Sequence, residues 1–436
     1  MGELKVSLLD LLIALSDVMD MISPVLNGHH RRVAYISYVI GEEMGLSSKS
    51  LTNLFIASLL HDCGGISLKE RLDALQFDII NPYIHSELGY RLLVEYEPLK
   101  IPAQIVRYHH AYWNETGGDV MEEDQDIPLE SYIINLSDRV DVLVNKKSEI
   151  IGQSTYIKNK IISESGKKFM PDVVDAFISV SKPISFWLDI INVEKSCELY
   201  ESKIEDTILD ENSIFSATEL IRDIIDFRSR FTATHSSGVS AVAAQLGKHA
   251  GLEEKEQKKL RIAGFLHDLG KLAVPAEILE KPGKLNAGEY NIIKSHTYYT
   301  YKTLQKIKGF EEISEIAAFH HEKLDGSGYP FGITSDGLSY NSRVMAVADV
   351  FTALTEDRPY RKGMDRDTCL SIMQGMVDDM VIDGDILKIL TDNYESINNA
   401  RIEAQSRSQR QYVKHFKSAE RSNSNATKGT IVEKAH

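Results

Sequence analysis

Through most of the chain, apolar residues return at intervals of three and four, the spacing of a buried helical face. Val33-Ala34-Tyr35-Ile36 leading to Val39-Ile40, and Leu51 through Leu60, carry this period in the first half. Pro24, Pro82, Pro98 and Pro102 fall where helices would begin or end. Leu8 through Leu15, interrupted by Asp10, reads as an amphipathic helix. It is too short to cross a bilayer and lacks the basic leader and small-residue cleavage site of a secretion signal. The acidic run Glu122-Glu123-Asp124-Gln125-Asp126 reads as a solvated loop, and the polar stretch near Glu201 to Asn212 as a joint. Helical periodicity resumes from Ala217 to about Ala400, broken by turns at Lys281-Pro282-Gly283 and Gly326 to Pro330. Beyond Arg401 the chain is polar with little to bury, expected to extend a helix and then fray. The pattern predicts an all-α protein of two tandem helical domains, 1–205 and 206–400, with a polar tail at 401–436.

The two halves repeat each other in potential metal ligands. His29, His61-Asp62, His85, His109-His110 and Asp138 in the first half answer to His235, His267-Asp268, His296, His320-His321 and Asp349 in the second. The interval from His29 to His61 is 32 residues, as from His235 to His267; His85 to His109 and His296 to His320 are both 24. His110 to Asp138 and His321 to Asp349 are both 28, and only the middle gap differs, 23 residues against 28. A single histidine on an apolar face is usually a satisfied polar residue. Two matched seven-residue constellations indicate internal duplication and metal binding in at least one copy.

Composition narrows what such sites would serve. The 436 residues, 43% hydrophobic and 26% charged, suit a soluble globular chain of two or three domains. A net charge of -15 argues against duplex nucleic acid as partner, since there is no basic excess to release counterions. A polyanionic ligand must then be held locally, by metal ions and a few placed cations. Cys63, Cys197 and Cys369 lie far apart without metal-type pairing, which fits a reducing cytoplasm.

The second half carries the fuller chemistry. In Ala263-Gly264-Phe265-Leu266-His267-Asp268-Leu269-Gly270-Lys271 an apolar run delivers adjacent His and Asp ligands to a protected place. The Asp268 carboxylate can bridge two cations, with imidazoles of His235, His267, His296, His320 and His321 outside them and Asp349 from the apolar Val344 to Leu354 helix. This donor set suits two borderline divalent transition-metal ions, iron or manganese, better than magnesium or closed zinc. Two such ions lower the pKa of a bridging water and neutralise charge developing on a phosphoryl oxygen.

H-D-L-G-K at His267 to Lys271, the paired His320-His321, G-S-G-Y-P at Gly326 to Pro330 and D-R-P-Y at Asp357 to Tyr360 resemble the HD-GYP phosphodiesterases. These are a subgroup of the HD superfamily of metal-dependent phosphohydrolases, and the likeness covers about Ala217 to Ala400. It implies two tandem HD-type helical domains and hydrolysis of a cyclic dinucleotide, cyclic di-GMP or 3′,3′-cyclic GMP-AMP, to a linear dinucleotide. By the same likeness His235, His267, Asp268, His296, His320, His321 and Asp349 are the metal ligands. Lys271 contacts the phosphate and assists the leaving oxygen, Arg358 and Arg361 hold the second phosphate, and Tyr329 packs on the ligand. Plain structural alternatives stand beside these: a helix-end cation for Lys271, a loop ion pair for Arg358, and core packing for Tyr298, Tyr299 and Tyr301; Glu322 reads as a solvated acid, with an acceptor that orients a histidine as the other reading. Some family members place a Glu one turn before the first histidine to support a third metal. Phe231 stands there, so two metals are expected.

The first half keeps all seven ligands as a second candidate metal site, but Gly65 stands where Lys271 stands, and no G-Y-P loop follows His110. It reads as a degenerate HD domain that regulates the other half, senses a ligand or forms a homodimer interface. Two other readings compete. One is a nucleotide phosphohydrolase of the wider superfamily; the other is a cyclic-dinucleotide receptor without turnover.

Overall fold

The computed structural model describes residues 4–65, 77, 83–114, 127–227, 234–281, 283–357 and 362–432, with side chains to 414. The described chain is helical except for one antiparallel pair of two-residue strands, Val6–Ser7 against Ile208–Leu209. The second strand of the pair lies inside the polar segment read as a joint. The chain divides into two compact units, one of Met1–Val18 with Ile208–Val413, the other of Met19–Thr207 with Lys414–His436. The amino-terminal residues therefore group with the second half, which the linear periodicity does not show.

In the unit built on the second half, the His235–His249 helix packs against Glu254–Leu266 and Tyr340–Thr355. The Ala287–Leu304 helix lies on the short Leu269–Ala273 turn and on Glu311–Ala318. The Ala287–Leu304 helix starts at a side-chain cap. Asn286 accepts from the Glu289 amide at 2.9 Å while Glu289 accepts from the Asn286 amide at 2.8 Å, a reciprocal box that fixes where the long helix begins. Leu260, Ala263, Leu266, Val344, Val347 and Phe351 are fully buried between the ligand-bearing helices.

The first-half unit repeats the arrangement. His29–Glu43 packs against Ser48–Leu60 and Leu129–Leu143, and Tyr83–Leu93 against Lys100–Arg107. Val33, Ile36 and Ile40 on one helix and Leu54, Phe55 and Leu59 on the next are buried, as their spacing requires, while Val39 is half-buried.

Two expectations change. The Leu8–Asp20 helix has little wet face: Leu8, Leu9, Leu11, Leu12, Leu15, Val18 and even Ser16 and Asp20 are buried, and only Asp10 and Asp17, on one side, are half-buried. Its polar face is a narrow stripe on an otherwise covered helix. The tail does not start at 401, although beyond that point the chain does extend a helix, Tyr394–Val432. Its first turns bury Ile397, Arg401 and Ser408, and Arg401 bonds along the helix to Asn398 and Gln405, so these turns are part of the fold. Glu122 to Asp126 lies outside the described residues, as does Pro82.

Candidate metal centre

In the second-half unit the sequence delivers each ligand at an element boundary. His235 opens the His235–His249 helix, and His267-Asp268 follows directly on Glu254–Leu266. His320-His321 follows Glu311–Ala318, while His296 and Asp349 sit inside their helices. The turn after His267 is tightly fixed. A Cβ on Gly270 would lie 1.9 Å from the His296 carbonyl oxygen, so only glycine lets the two segments approach. Thr300 accepts from the Gly270 amide at 2.9 Å and donates to the His267 carbonyl at 3.1 Å, fastening the turn to the His296 helix.

All seven predicted ligands come together. The candidate ligand atoms of His296, His320 and His321 lie within 4.8 Å of one another, and so do those of His235, His267 and Asp268. Asp268 links the two groups, its Oδ2 3.2 Å from His267 Nε2 and its Oδ1 3.5 Å from His296 Nε2. Asp349 Oδ1 lies 3.0 Å from His235 Nε2.

The tautomers decide what this cluster can hold. Nδ1 of His267 donates to the Gly264 carbonyl at 2.8 Å, that of His296 to Ile293 at 2.6 Å and that of His320 to Ala317 at 2.7 Å. Each ring therefore turns a bare Nε2 lone pair inward. Yet Nε2 of His296 and Nε2 of His320 face each other at 3.4 Å. Two acceptors at that distance need a cation between or beside them, so the residues fit divalent metal ions. Burial pushes His296 down to about 3 and His321 down to about 4, leaving both neutral at neutral pH, the form that ligates. Burial alone would raise the Asp268 carboxyl, but His267 and Lys271 outweigh it and hold it well below the usual range. His235 differs: burial disfavours its cation, yet Glu356 and Asp349 raise it to about 10. That spot is built to attract positive charge, and a metal ion would replace the proton.

Around the ligands, Lys271 Nζ stands 2.5 Å from Asp268 Oδ2. Tyr329 packs its ring 4.9 Å from His321, and its hydroxyl is pushed up by burial, then by Tyr290. Arg358, Arg361 and Phe231 lie outside the described residues. The Tyr trio divides: Tyr301 stacks on Phe319 at 5.6 Å, whereas Tyr298 is 42% exposed and is not core.

Three residues position the site: Glu356 and Thr300 are not singled out by the sequence, and Glu322 reads there mainly as a solvated acid. Glu322 is not a solvated acid. It is buried, and its Oε1 accepts from the Phe331 and Gly332 amides at 2.6 and 3.2 Å while its Oε2 accepts from Ile333 at 3.0 Å. One carboxylate thus closes the far end of the loop that carries Tyr329. Glu356, also buried, takes His235 Nδ1 at 3.1 Å and Gln405 Nε2 at 3.2 Å. Thr300 is the third. Glu322 beside the paired histidines was the one visible clue, since a buried acid next to a ligand is a common orienting device.

The first-half unit assembles the other seven. Asp62 belongs with His29 and His61 on one side and with His85, His109 and His110 on the other, each group within 4.8 Å. His109 Nδ1 donates to the Val106 carbonyl at 2.6 Å, so its bare Nε2 faces His85 Nε2 at 3.3 Å. His29 Nε2, His61 Nε2 and Asp62 Oδ1 are buried without a hydrogen-bond partner among the described residues. These orphaned donors fit a metal as well as the other cluster does. Asp138 differs, being paired with Arg139 at 2.5 Å.

Models of the HD domain match residues 219–386 and 27–143. The 3′3′-cGAMP-specific phosphodiesterase 1 of Vibrio cholerae is 33% identical over 84% of this chain and 86% of its own length. The cyclic di-GMP phosphodiesterase response regulator RpfG of Xanthomonas campestris is 37% identical, over 34% of this chain and 40% of its own. A crystal structure of a cyclic GMP-AMP-specific phosphodiesterase from V. cholerae superposes with a TM-score of 0.63 at 25% identity, covering 90% of this chain and 98% of that one.

Proposed function

The chain belongs to the HD-GYP phosphodiesterases of the HD superfamily, and we propose on that premise that its second cluster opens 3′,3′-cyclic GMP-AMP. The protein is a metal-dependent cyclic-dinucleotide phosphodiesterase. The observation that carries the chemistry is the inward convergence of bare imidazole nitrogens on Asp268, with one lysine at the same carboxylate. The preference for cyclic GMP-AMP rests on coverage. The relative and the solved structure that match nearly the whole chain are both named for it, whereas RpfG, named for cyclic di-GMP, aligns with about a third of the chain.

His235, His267, Asp268, His296, His320, His321 and Asp349 would hold two ions, iron or manganese by their nitrogen-rich donor set. When bound, the ions supply an activated water and neutralise charge on the phosphoryl oxygens. The chain's own groups do the rest. Lys271 stands at the ligands as an ammonium able to hydrogen-bond a phosphate oxygen and to protonate the leaving 3′ oxygen as the phosphorus–oxygen bond breaks. Tyr329, held on His321, offers a ring face and a hydroxyl to the substrate. Glu322 fixes the loop that presents it, and Glu356 holds His235 in one orientation. The first cluster has Gly65 where the lysine stands and is assigned a regulatory role, with its own metal.

The test is anaerobic incubation of manganese- or iron-loaded protein with each cyclic dinucleotide, products resolved by chromatography. A linear dinucleotide, formed faster from cyclic GMP-AMP and abolished by His267→Ala with Asp268→Ala, is the expected result. Faster turnover of cyclic di-GMP would overturn the preference. No product with metal bound would leave a receptor.

A further inference from the structure

Away from the ligands, the second-half unit contains a cavity of about 590 Å³ at the start of the helices that deliver them. Leu4 and Lys5, the first turns of Glu211–Phe227 and of Glu254–Leu266, and the start of Glu311–Ala318 form its wall. His267 follows the far end of Glu254–Leu266, and His320 the far end of Glu311–Ala318. A helix of 13 residues spans about 20 Å, so the cavity and the metal centre occupy opposite ends of shared elements.

We propose that this cavity is a nucleotide-binding site separate from the metal centre, taking a ligand with a phosphate and a planar ring. Three features of the lining carry it. Its acids are already engaged: Glu211 binds Lys258 at 2.8 Å, Glu312 binds Lys259, and Glu311 accepts from the Gly309 amide at 3.1 Å. Lys5, Lys255 and Lys308 line the same space and form no ion pair among the described residues. A net surplus of three cations thus faces the cavity inside a strongly acidic protein. Next, Glu254–Leu266 and Glu311–Ala318 both begin at the wall without a capping side chain, so their first amides and positive dipole ends add to the field. Finally, the Arg261 guanidinium lies 4.3 Å over the Phe215 ring, which abuts Phe265 at 5.2 Å, a flat cationic platform of the kind on which bases stack. Ile262 and Ile313 supply apolar wall, and the volume falls within the range of small-ligand pockets.

The probes are AMP and GMP, with adenosine and inorganic phosphate as controls, titrated calorimetrically into the metal-depleted full chain. Metal depletion removes binding that depends on the other centre. Both nucleotides, or one of them, should bind more tightly than either control. Lys255→Glu with Lys308→Glu, surface changes whose folding is checked by circular dichroism and by retained hydrolysis after metal is restored, should weaken nucleotide binding at least tenfold. Phe215→Leu should weaken nucleotide several-fold and leave phosphate unchanged. Nucleotide affinity unaltered by the double charge reversal would overturn the site, as would no nucleotide binding at all. Phosphate binding as tightly as nucleotide would overturn the ring subsite. None of these residues touches the metal ligands, so either failure leaves the phosphodiesterase reading standing.

Discussion

Replacing Glu322 by Gln isolates what one buried carboxylate does for the loop between His321 and Ile333. The side chain is 3% exposed and accepts three backbone hydrogen bonds, two at Oε1 and one at Oε2. Glutamine keeps the volume and one acceptor oxygen. If that oxygen serves Phe331 and Gly332, the new NH2 faces the Ile333 amide, donor against donor. The charge-assisted bond lost is worth about 1.5–3 kcal/mol, and the other two weaken as the acceptor becomes neutral, so about 2–4 kcal/mol of loop order goes. The packing beneath the loop, Leu324 and Ile333 against Ala318, Phe319 and Leu338, is untouched, so the fold survives. On the proposed function Tyr329 would meet the substrate from this loop, while His320 and His321 precede it. The loss should therefore appear as raised KM and a kcat/KM lower by roughly ten- to several-hundred-fold, with metal content unchanged. Steady-state hydrolysis of cyclic GMP-AMP together with elemental analysis reads both. A variant within twofold of wild type in kcat/KM would refute the assignment of Glu322 to the loop, and a variant that lost its metal would place it with the ligands instead.

Lys271→Ala should retain bound metal, because no ligand is removed, yet lower kcat by about a hundredfold or more; elemental analysis beside single-turnover rates checks it. Gly270→Ala drives a Cβ to 1.9 Å from the His296 carbonyl, and the forced separation of the His267 and His296 segments should lower both melting temperature and metal content. Asp226, fully buried, is raised from 3.8 to about 7 chiefly by burial, against the opposing pull of Ser236 and Arg222. Its folded form holds the proton more tightly than the unfolded chain. The stabilisation is therefore complete below about pH 3.8 and is lost as the pH rises to about 7, about 4 kcal/mol in all. In metal-depleted protein Asp226→Asn should flatten that slope in denaturant titrations at pH 5 and 8; an unchanged slope counts against it. Chelation of the wild-type protein should lower its melting temperature, and the shift should shrink when His109→Ala removes a first-half ligand.

The ligand sets were legible because metal chemistry leaves few choices of residue and a duplicated fold fixes their spacing twice. The positions of His235, His267 and His320 at helix ends were legible for a related reason: apolar runs stop where a polar donor must turn inward. Glu322, Glu356 and Thr300 were not legible, since their work is defined by partners far along the chain, such as Glu356 with both His235 and Gln405. A short-range pattern gives an acid in polar company no reason to be buried. The Leu8–Asp20 helix shows the converse error. Asp10 suggested a wet face, but how far a helix is covered depends on what packs around it, which no local period reports.

The comparison of the two clusters separates holding metal from using it. Both units aim bare imidazole nitrogens at a shared carboxylate, both anchor the opposite ring nitrogens on backbone carbonyls, and both need a glycine for the approach, Gly270 to His296 and Gly64 to His85. What the first unit lacks is the group outside the ligands. Gly65 follows where Lys271 would stand, and an arginine, Arg139, is spent on Asp138, so a cation that could meet a phosphate instead neutralises a ligand. Retaining seven ligands while the phosphate-facing lysine is missing is the arrangement expected when a metal is kept for stability or sensing. Burial supports this, because three ligand atoms there have no hydrogen-bond partner among the described residues and would each cost about 1–3 kcal/mol unless an ion satisfied them. On the proposed function, what separates the two units is the set of groups around the metal, Lys271, Tyr329 and the acids beside them, more than the ligand set the two halves share.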